Sequence, residues 1–113
     1  FQYGRTPDSF LLVNDGRGHF TDQTDRLAPE LRRAGMITDA VWMDYDKDKD
    51  LDLALVGDWM SLQLFANEAG KLAPVDDLMA DDTPMNGLWQ CLTAADFDGD
   101  GDMDLMAGNL GYN

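Results

Sequence analysis

Two short stretches of the chain alternate aspartate with other residues, and each could surround a cation with oxygen atoms. They read DYDKDKDLD and DFDGDGDMD, over residues 44–52 and 96–104. When such a stretch curls, the carboxylates at its first, third, fifth and ninth positions converge, and the seventh position adds a backbone carbonyl. Hard cations favour oxygen ligands, and calcium accepts about six to eight of them at flexible geometry, whereas magnesium needs a near-ideal octahedron. The spacing therefore predicts one calcium ion in each loop.

The predicted ligands are the aspartates of the two loops. They are the side chains of Asp44, Asp46, Asp48 and Asp52 with the carbonyl of Asp50, and the side chains of Asp96, Asp98, Asp100 and Asp104 with the carbonyl of Asp102. The sixth position is Gly101 in the second loop but Lys49 in the first, and a left-handed backbone at a non-glycine residue costs about 1–2 kcal/mol. Lys47 and Lys49 also bring positive charge to the first loop. We therefore predict tighter binding at the second loop; the alternative for both is a solvated acidic turn.

Other metal chemistry is disfavoured by the residues that the loops lack. An EF-hand needs a glutamate at position 12, where the two loops have Leu55 and Ala107. Zinc is disfavoured because neither loop contains histidine or cysteine. The only histidine is His19 and the only cysteine is Cys91, which lies in an apolar strand and is expected to be buried.

Charge and composition limit the classes of partner. The 113 residues carry 22 acidic and 8 basic side chains, a net charge of −14, and only two of the acids are glutamate. Aspartate favours turns over helices, so the acidity is predicted to lie in loops. Nucleic acid and anionic membrane surfaces are excluded as partners because binding them needs a basic face. No apolar run is long enough for a membrane span, so no membrane insertion is expected.

The elements that position the loops are arranged as a repeat. A shift of about 52 residues superimposes the two loops and their flanks, dividing the chain into tandem repeats at 10–61 and 62–113. Each loop lies between apolar stretches of strand length, predicted at 41–44 and 52–56 and at 93–96 and 104–107. Further strands are predicted at 10–13, 18–22, 62–66 and 71–75. Only 25–34 has a helical pattern, which Pro29 keeps short.

Four strands per repeat predict an all-β fold, a segment of a β-propeller built from four-stranded antiparallel blades. In this reading, residues 1–37 end one blade, 38–75 form a complete blade, and 76–113 begin the next, about two blade-equivalents in all. A propeller needs roughly four to eight blades. We therefore expect the ring to be completed by the remaining blades of a longer chain or by other copies of this segment.

These motifs are similar to those of a known family. Residues 94–109, AADFDGDGDMDLMAGN, resemble the core of the VCBS and FG-GAP repeats, which also occur in the integrin α-subunit propeller. The chain departs from the family pattern at Lys49, where glycine is expected, and at Gly108-Asn109-Leu110, which replaces the usual Gly-Ala-Pro end. The resemblance implies a calcium-supported propeller that is extracellular, at the cell surface or periplasmic. It implies a noncatalytic role in binding, adhesion or scaffolding, with an extracellular protein or glycan as ligand.

Two other functions stay open at this point. Trp59, Trp89 and Asp58 fall on connections that a propeller places opposite the calcium loops, where stacking and hydrogen bonding could bind a carbohydrate. Core packing at blade edges would explain the tryptophans almost as well. The segment could also be part of a polysaccharide-degrading propeller enzyme, but its acid and base would have to come from outside the metal loops, where Asp39 and Asp58 are the candidates.

Overall fold

The computed structural model describes residues 5–76, 78 and 85–111. Within them the elements are β1 (Leu12–Asn14), β2 (Phe20–Asp22), α1 (Thr24–Leu27), a 3-10 helix (Pro29–Arg33), β3 (Met36–Met43), β4 (Asp52–Met60), β5 (Gln63–Glu68), β6 (Lys71–Pro74), β7 (Gly87–Ala95) and β8 (Asp104–Asn109). The segment is nearly all-β, its strands pair antiparallel, and its sheets stay open. This confirms the predicted fold class, a segment of a propeller-like protein.

Strands β3 to β6 pair in chain order as an antiparallel meander, with Val41 opposite Ala54 and Leu55 opposite Gln63. Strand β7 pairs with β8 and with the end of β4. The Thr38 hydroxyl also donates to the carbonyl of Trp89 at 2.6 Å, which joins β3 to β7. Strands β1 and β2 form a separate two-stranded sheet. Consequently β3 and β7, which lead into the two acidic loops, lie side by side.

Strand β4 supplies the centre of the core on both of its faces. Residues 53–56 of this strand, LALV, are all buried. Neighbouring residues of a strand point to opposite faces of the sheet. Leu53 and Leu55 pack with Phe65 and with the helical segment, while Ala54 and Val56 pack with residues of β3, β5 and β7. Because apolar layers cover both faces, β4 is a rigid base for the first acidic loop, which enters it directly.

The predicted helix at 25–34 is present but divided. Helix α1 ends at Leu27, and Ala28 adopts an extended φ of −152° before the 3-10 helix begins at Pro29. A residue that precedes proline is pushed out of the helical region by the proline ring, and proline has no N–H to continue the ladder. The break turns Ala28 and Leu31 into the core, where both are buried.

Strands β3 and β7 are longer than predicted, and each ends one residue before the aspartate that opens its loop. The prediction that Cys91 is buried is wrong: the side chain is exposed, while its neighbour Leu92 is buried. Apolar composition identified the strand, but the alternation of faces decides which of two adjacent residues enters the core.

Candidate metal sites

Each acidic loop connects two adjacent antiparallel strands. The first joins β3 to β4 and the second joins β7 to β8. Met43 pairs with Asp52 at the base of the first, and Ala95 pairs with Asp104 at the base of the second. This pairing brings the two ends of each loop together, so the nine-residue stretch must curl back on itself.

The curl requires a left-handed backbone at two positions in each loop. The φ angles are 66° at Lys47 and 80° at Lys49, and the matching Gly99 and Gly101 have 79° and 91°. The requirement at the sixth position was predicted from sequence. The same requirement at the fourth position was missed, although Gly99 marks it in the second loop. The two lysines therefore make the first loop the more strained of the two.

In the first loop, three carboxylates face one another. Ligand oxygens of Asp44, Asp46 and Asp48 all lie within 4.8 Å of each other, a grouping that could hold a metal ion. Backbone donors hold them in place, with Asp48 N–H bound to Asp46 Oδ1 at 3.1 Å and Lys49 N–H bound to Asp44 Oδ2 at 3.1 Å. The other oxygen of Asp44, Oδ1, is buried without a hydrogen-bond partner. A buried oxygen that lacks a donor fits a position that a cation would satisfy.

Asp52 lies outside this group and accepts backbone hydrogen bonds. The residue is 0% exposed, and its two oxygens accept the backbone N–H groups of Tyr45 at 3.0 Å and Asn67 at 2.8 Å. Its carboxylate thus ties the loop to β5 as well as to β4. The role of Asn67 was not anticipated, because the sequence marks it as a turn residue and says nothing of this cross-strand contact.

The second loop has a similar arrangement that differs in its ligand group and in the hydrogen bonds of its first aspartate. Its group consists of Asp96, Asp98 and Asp104, and Asp100 lies outside it, accepting the N–H of Asp102 at 2.8 Å. Both oxygens of Asp96 accept glycine N–H groups, from Gly99 at 2.7 Å and from Gly101 at 3.0 Å. Each loop therefore gathers three of its four predicted side-chain ligands.

The loops are electrostatically strained and lie close enough to interact. Loss of hydration raises the pKa of Asp46, and the charges of Asp48, Asp52 and Asp44 raise it further, although the hydrogen bond from the Asp48 N–H lowers it. Lys47 of the first loop contacts Oδ1 of Asp102 in the second. This hydrogen bond and the Asp102 charge raise the pKa of Lys47. A positive charge from one loop thus already lies against the other, near enough that the charges of Asp100 and Asp96 also raise the pKa of Lys47.

The residues predicted for a ligand face separate into two roles. Trp89 donates its indole N–H to the carbonyl of Met85 at 2.8 Å and packs against the core. Trp59 instead is 66% exposed. Asp58 accepts a hydrogen bond from Gln90 Nε2 at 3.0 Å. The structure therefore gives Trp89 a packing role and leaves Trp59 and Asp58 at the surface.

The chain matches one known family. Residues 44–107 match the family described as FG-GAP-like repeat, and these 64 residues are more than half of the 113. The match runs from the first aspartate of the first loop into β8. Neither a curated protein nor a solved structure matches the chain. In the described part of the chain, neither helix has the length and apolar character needed to cross a membrane.

Proposed function

Because the chain belongs to the family of FG-GAP-like repeats, we propose that it is a calcium-stabilised segment of a β-propeller. In this proposal it is part of a secreted, cell-surface or periplasmic protein that acts in binding, adhesion or scaffolding without catalysis of its own. The observation that carries the proposal is the convergence of three carboxylates in each of two tandem loops, within 4.8 Å. The relation to VCBS repeats is part of the same proposal.

The strand order supports the proposed blade phase. Strands β3 to β6 would be the complete blade of residues 38–75, β1 and β2 the end of the preceding blade in 1–37, and β7 and β8 the start of the next in 76–113. In a propeller the first strands of adjacent blades are neighbours around the central channel, and β3 lies beside β7 through the contact of Thr38 with Trp89. The repeats at 10–61 and 62–113 would then each span parts of two blades.

The chemistry of the donors favours calcium over other metals. Asp44, Asp46 and Asp48 would hold the ion in the first loop, and Asp96, Asp98 and Asp104 in the second, with water and the carbonyls of Asp50 and Asp102 available to complete an oxygen shell. A bound cation would neutralise carboxylates that otherwise repel one another. It would also give Asp44 Oδ1 the partner that the protein does not provide. The second loop is proposed as the tighter site, because glycine occupies both of its left-handed positions.

Thermal unfolding with and without calcium tests the proposal. A ligand that binds only the folded chain stabilises it by about 2.7 kcal/mol at one hundred times its dissociation constant. We expect the melting temperature to rise with calcium and to fall when a chelator is added, with magnesium as the matched control. Asp98→Asn should remove more of this shift than Asp46→Asn, the equivalent change in the first loop. An unchanged melting temperature on chelation would refute calcium stabilisation.

A polysaccharide-degrading activity has less support in the geometry. Asp39 Oδ2 accepts the backbone N–H of Leu92 at 2.9 Å, and Asp58 accepts a hydrogen bond from Gln90. Both carboxylates thus link β7 to its neighbours, which is a structural use of the two candidates for acid and base.

A further inference from the structure

A cleft of about 550 Å³ lies at the end of the blade farthest from the acidic loops. It is lined by the start of β3 and the end of β4, and it includes Arg33, Met36, Asp58, Trp59 and Met60. Trp59 is seven residues beyond Asp52 on β4, or about 24 Å at roughly 3.4 Å per residue. The cleft is therefore separate from the proposed metal sites.

Trp59 is held in an unfavourable conformation without being buried. Its φ is 59°, and it falls where the pairing of β4 with β7 shifts register between Asp58 and Met60. A large side chain in the left-handed region is strained, and such strain is concentrated at functional sites. Since 66% of Trp59 stays exposed, burial of its ring does not offset the strain. The bulge instead presents an aromatic face at the cleft.

The charged groups beside Trp59 are oriented by contacts with neighbouring side chains. Arg33 contacts Asp8 through Nε at 3.4 Å, and its side chain is 78% exposed, so its other N–H donors stay accessible. Asp58 is held through Oδ1 by Gln90, and its Oδ2 takes no part in that bond. The Arg33 guanidinium, already paired with Asp8, and the Asp58 carboxylate thus offer both donors and acceptors to a ligand.

We propose that this cleft binds a neutral saccharide unit, stacked on Trp59 with its hydroxyl groups held by Arg33 and Asp58. An aromatic face packs against the C–H face of a sugar ring, while adjacent hydroxyls need both donors and acceptors. An anionic sugar would meet the Asp58 carboxylate and a protein of net charge −14. The proposal gives the binding role proposed above a ligand class, and it does not depend on the calcium loops.

Affinity electrophoresis of the full chain in calcium, with soluble polysaccharides in the gel, tests this assignment. The probes are neutral xylan, mannan, mixed-linkage β-glucan and starch, with anionic hyaluronan for comparison. We expect retardation by at least one neutral polymer, and a loss of affinity of at least tenfold in Trp59→Ala. Trp42→Ala is the matched control, because Trp42 is also exposed, at 46%, but does not line the cleft. Retardation by hyaluronan alone, or by no probe, overturns the proposal.

A glycine variant separates ligand binding from packing. Glycine tolerates a positive φ, so Trp59→Gly should relieve strain while removing the stacking surface. We expect it to melt at or above the wild-type temperature and to lose binding as Trp59→Ala does. A variant that melts lower while still binding would show that Trp59 serves packing, which overturns the assignment. The calcium shift in melting is measured on the same samples, so failure of the saccharide site is distinguishable from failure of the metal sites.

Discussion

The first acidic loop has lysines at the two positions where the second loop has glycines, and all four residues have positive φ. A side chain in this region costs about 1–2 kcal/mol through contact of Cβ with the backbone. Lys47 has a contact with Asp102 that offsets part of this cost. Lys49 therefore isolates the effect of backbone strain more clearly.

Exchanging the residues at the sixth position should transfer this strain between loops. We expect Lys49→Gly to raise the free energy of unfolding by about 1 kcal/mol, the relief of strain less the extra chain entropy of glycine. Gly101→Lys should lower it by a similar amount, because no atom lies within 4 Å of a Cβ added there and only the φ cost applies. Urea unfolding in the presence of a chelator measures the free energy of unfolding of both variants. If both variants and the wild type were equally stable, the claim that the first loop is strained would be wrong.

Protonation of Asp22 is expected to be a direct cause of lost stability in acid. Its carboxylate accepts hydrogen bonds from the hydroxyl and N–H of Thr24 and contacts Arg32 at 3.0 Å. The Thr24 hydrogen bonds, followed by Arg32, lower the pKa of Asp22 to about 2 from an ordinary 3.8. Because the folded pKa is lowered, the charged carboxylate stabilises the fold above pH 3.8, and this contribution is lost as the pH falls towards 2.

The matching variant is Asp22→Asn, which keeps an acceptor oxygen but cannot titrate. We expect wild type to be more stable than the variant above about pH 4, with the difference disappearing by about pH 2. Urea unfolding of wild type and variant between about pH 2 and pH 5 measures this difference in the free energy of unfolding. The titration of all other carboxylates cancels because both proteins contain them. A difference that does not change with pH would show that the charge of Asp22 contributes nothing.

Among the elements, β4 decides how the first loop is attached to the sheet. Its first residue, Asp52, is a charged group that is 0% exposed, and its carboxylate accepts the N–H groups of Tyr45 and Asn67. Hydrogen bonds to an ionised group contribute about 1.5–3 kcal/mol, and removing the acceptor leaves buried donors unpaired. Asp52 thus links the first loop, β4 and β5.

Asp52→Asn should therefore destabilise the chain even without calcium. The asparagine oxygen can accept only at one side, and its NH₂ group would face a backbone N–H, so we expect a loss of about 2 kcal/mol. Asp48→Asn is the control, since it removes the same charge from the same loop but lies in the metal group. In chelator the control should unfold near the wild-type urea concentration. Equal effects of the two substitutions would mean that Asp52 has no separate structural role.

At the scale of the whole molecule, the sheet ends in strands that have one neighbour within the described residues. Strand β8 pairs with β7 on one side, and its Met106 is 58% exposed. Unpaired strand edges with apolar side chains favour pairing with another chain. The net charge of −14 opposes such association, and bound calcium would reduce that repulsion.

We expect the isolated chain to self-associate in calcium through β8, and Met106→Lys to prevent this by placing a charge on the edge strand. Ala69→Lys adds the same charge in the exposed turn between β5 and β6, at the opposite end of the sheet from β8, and should leave association through β8 unchanged. Sedimentation velocity over a range of concentrations measures the mass. A monomer at every concentration, or equal masses for the two variants, would contradict pairing through this edge.

Local patterns predicted much of the fold. The alternating aspartates and the repeat of about 52 residues placed both loops between strands, and they do connect β3 to β4 and β7 to β8. The sequence pattern could not predict whether Cys91 is buried, because an apolar strand has two faces and only packing decides which of them is buried. Nor could it distinguish Trp59 from Trp89, because the register shift that turns Trp59 outward arises from the pairing of β4 with β7.

The order of residues along the chain was sufficient to predict that carboxylates gather in each acidic loop, because ligands two residues apart, such as Asp96 and Asp98, meet through local backbone geometry. The pairing of Ala95 with Asp104 brings in the third carboxylate of the second loop. Only the tertiary structure decided that Asp52 is used for structural hydrogen bonds, that Lys47 reaches Asp102, and that Arg33 shares a cleft with Trp59. Each of these contacts joins residues far apart in sequence. Such contacts depend on how strands pair and pack, which no short stretch of residues specifies.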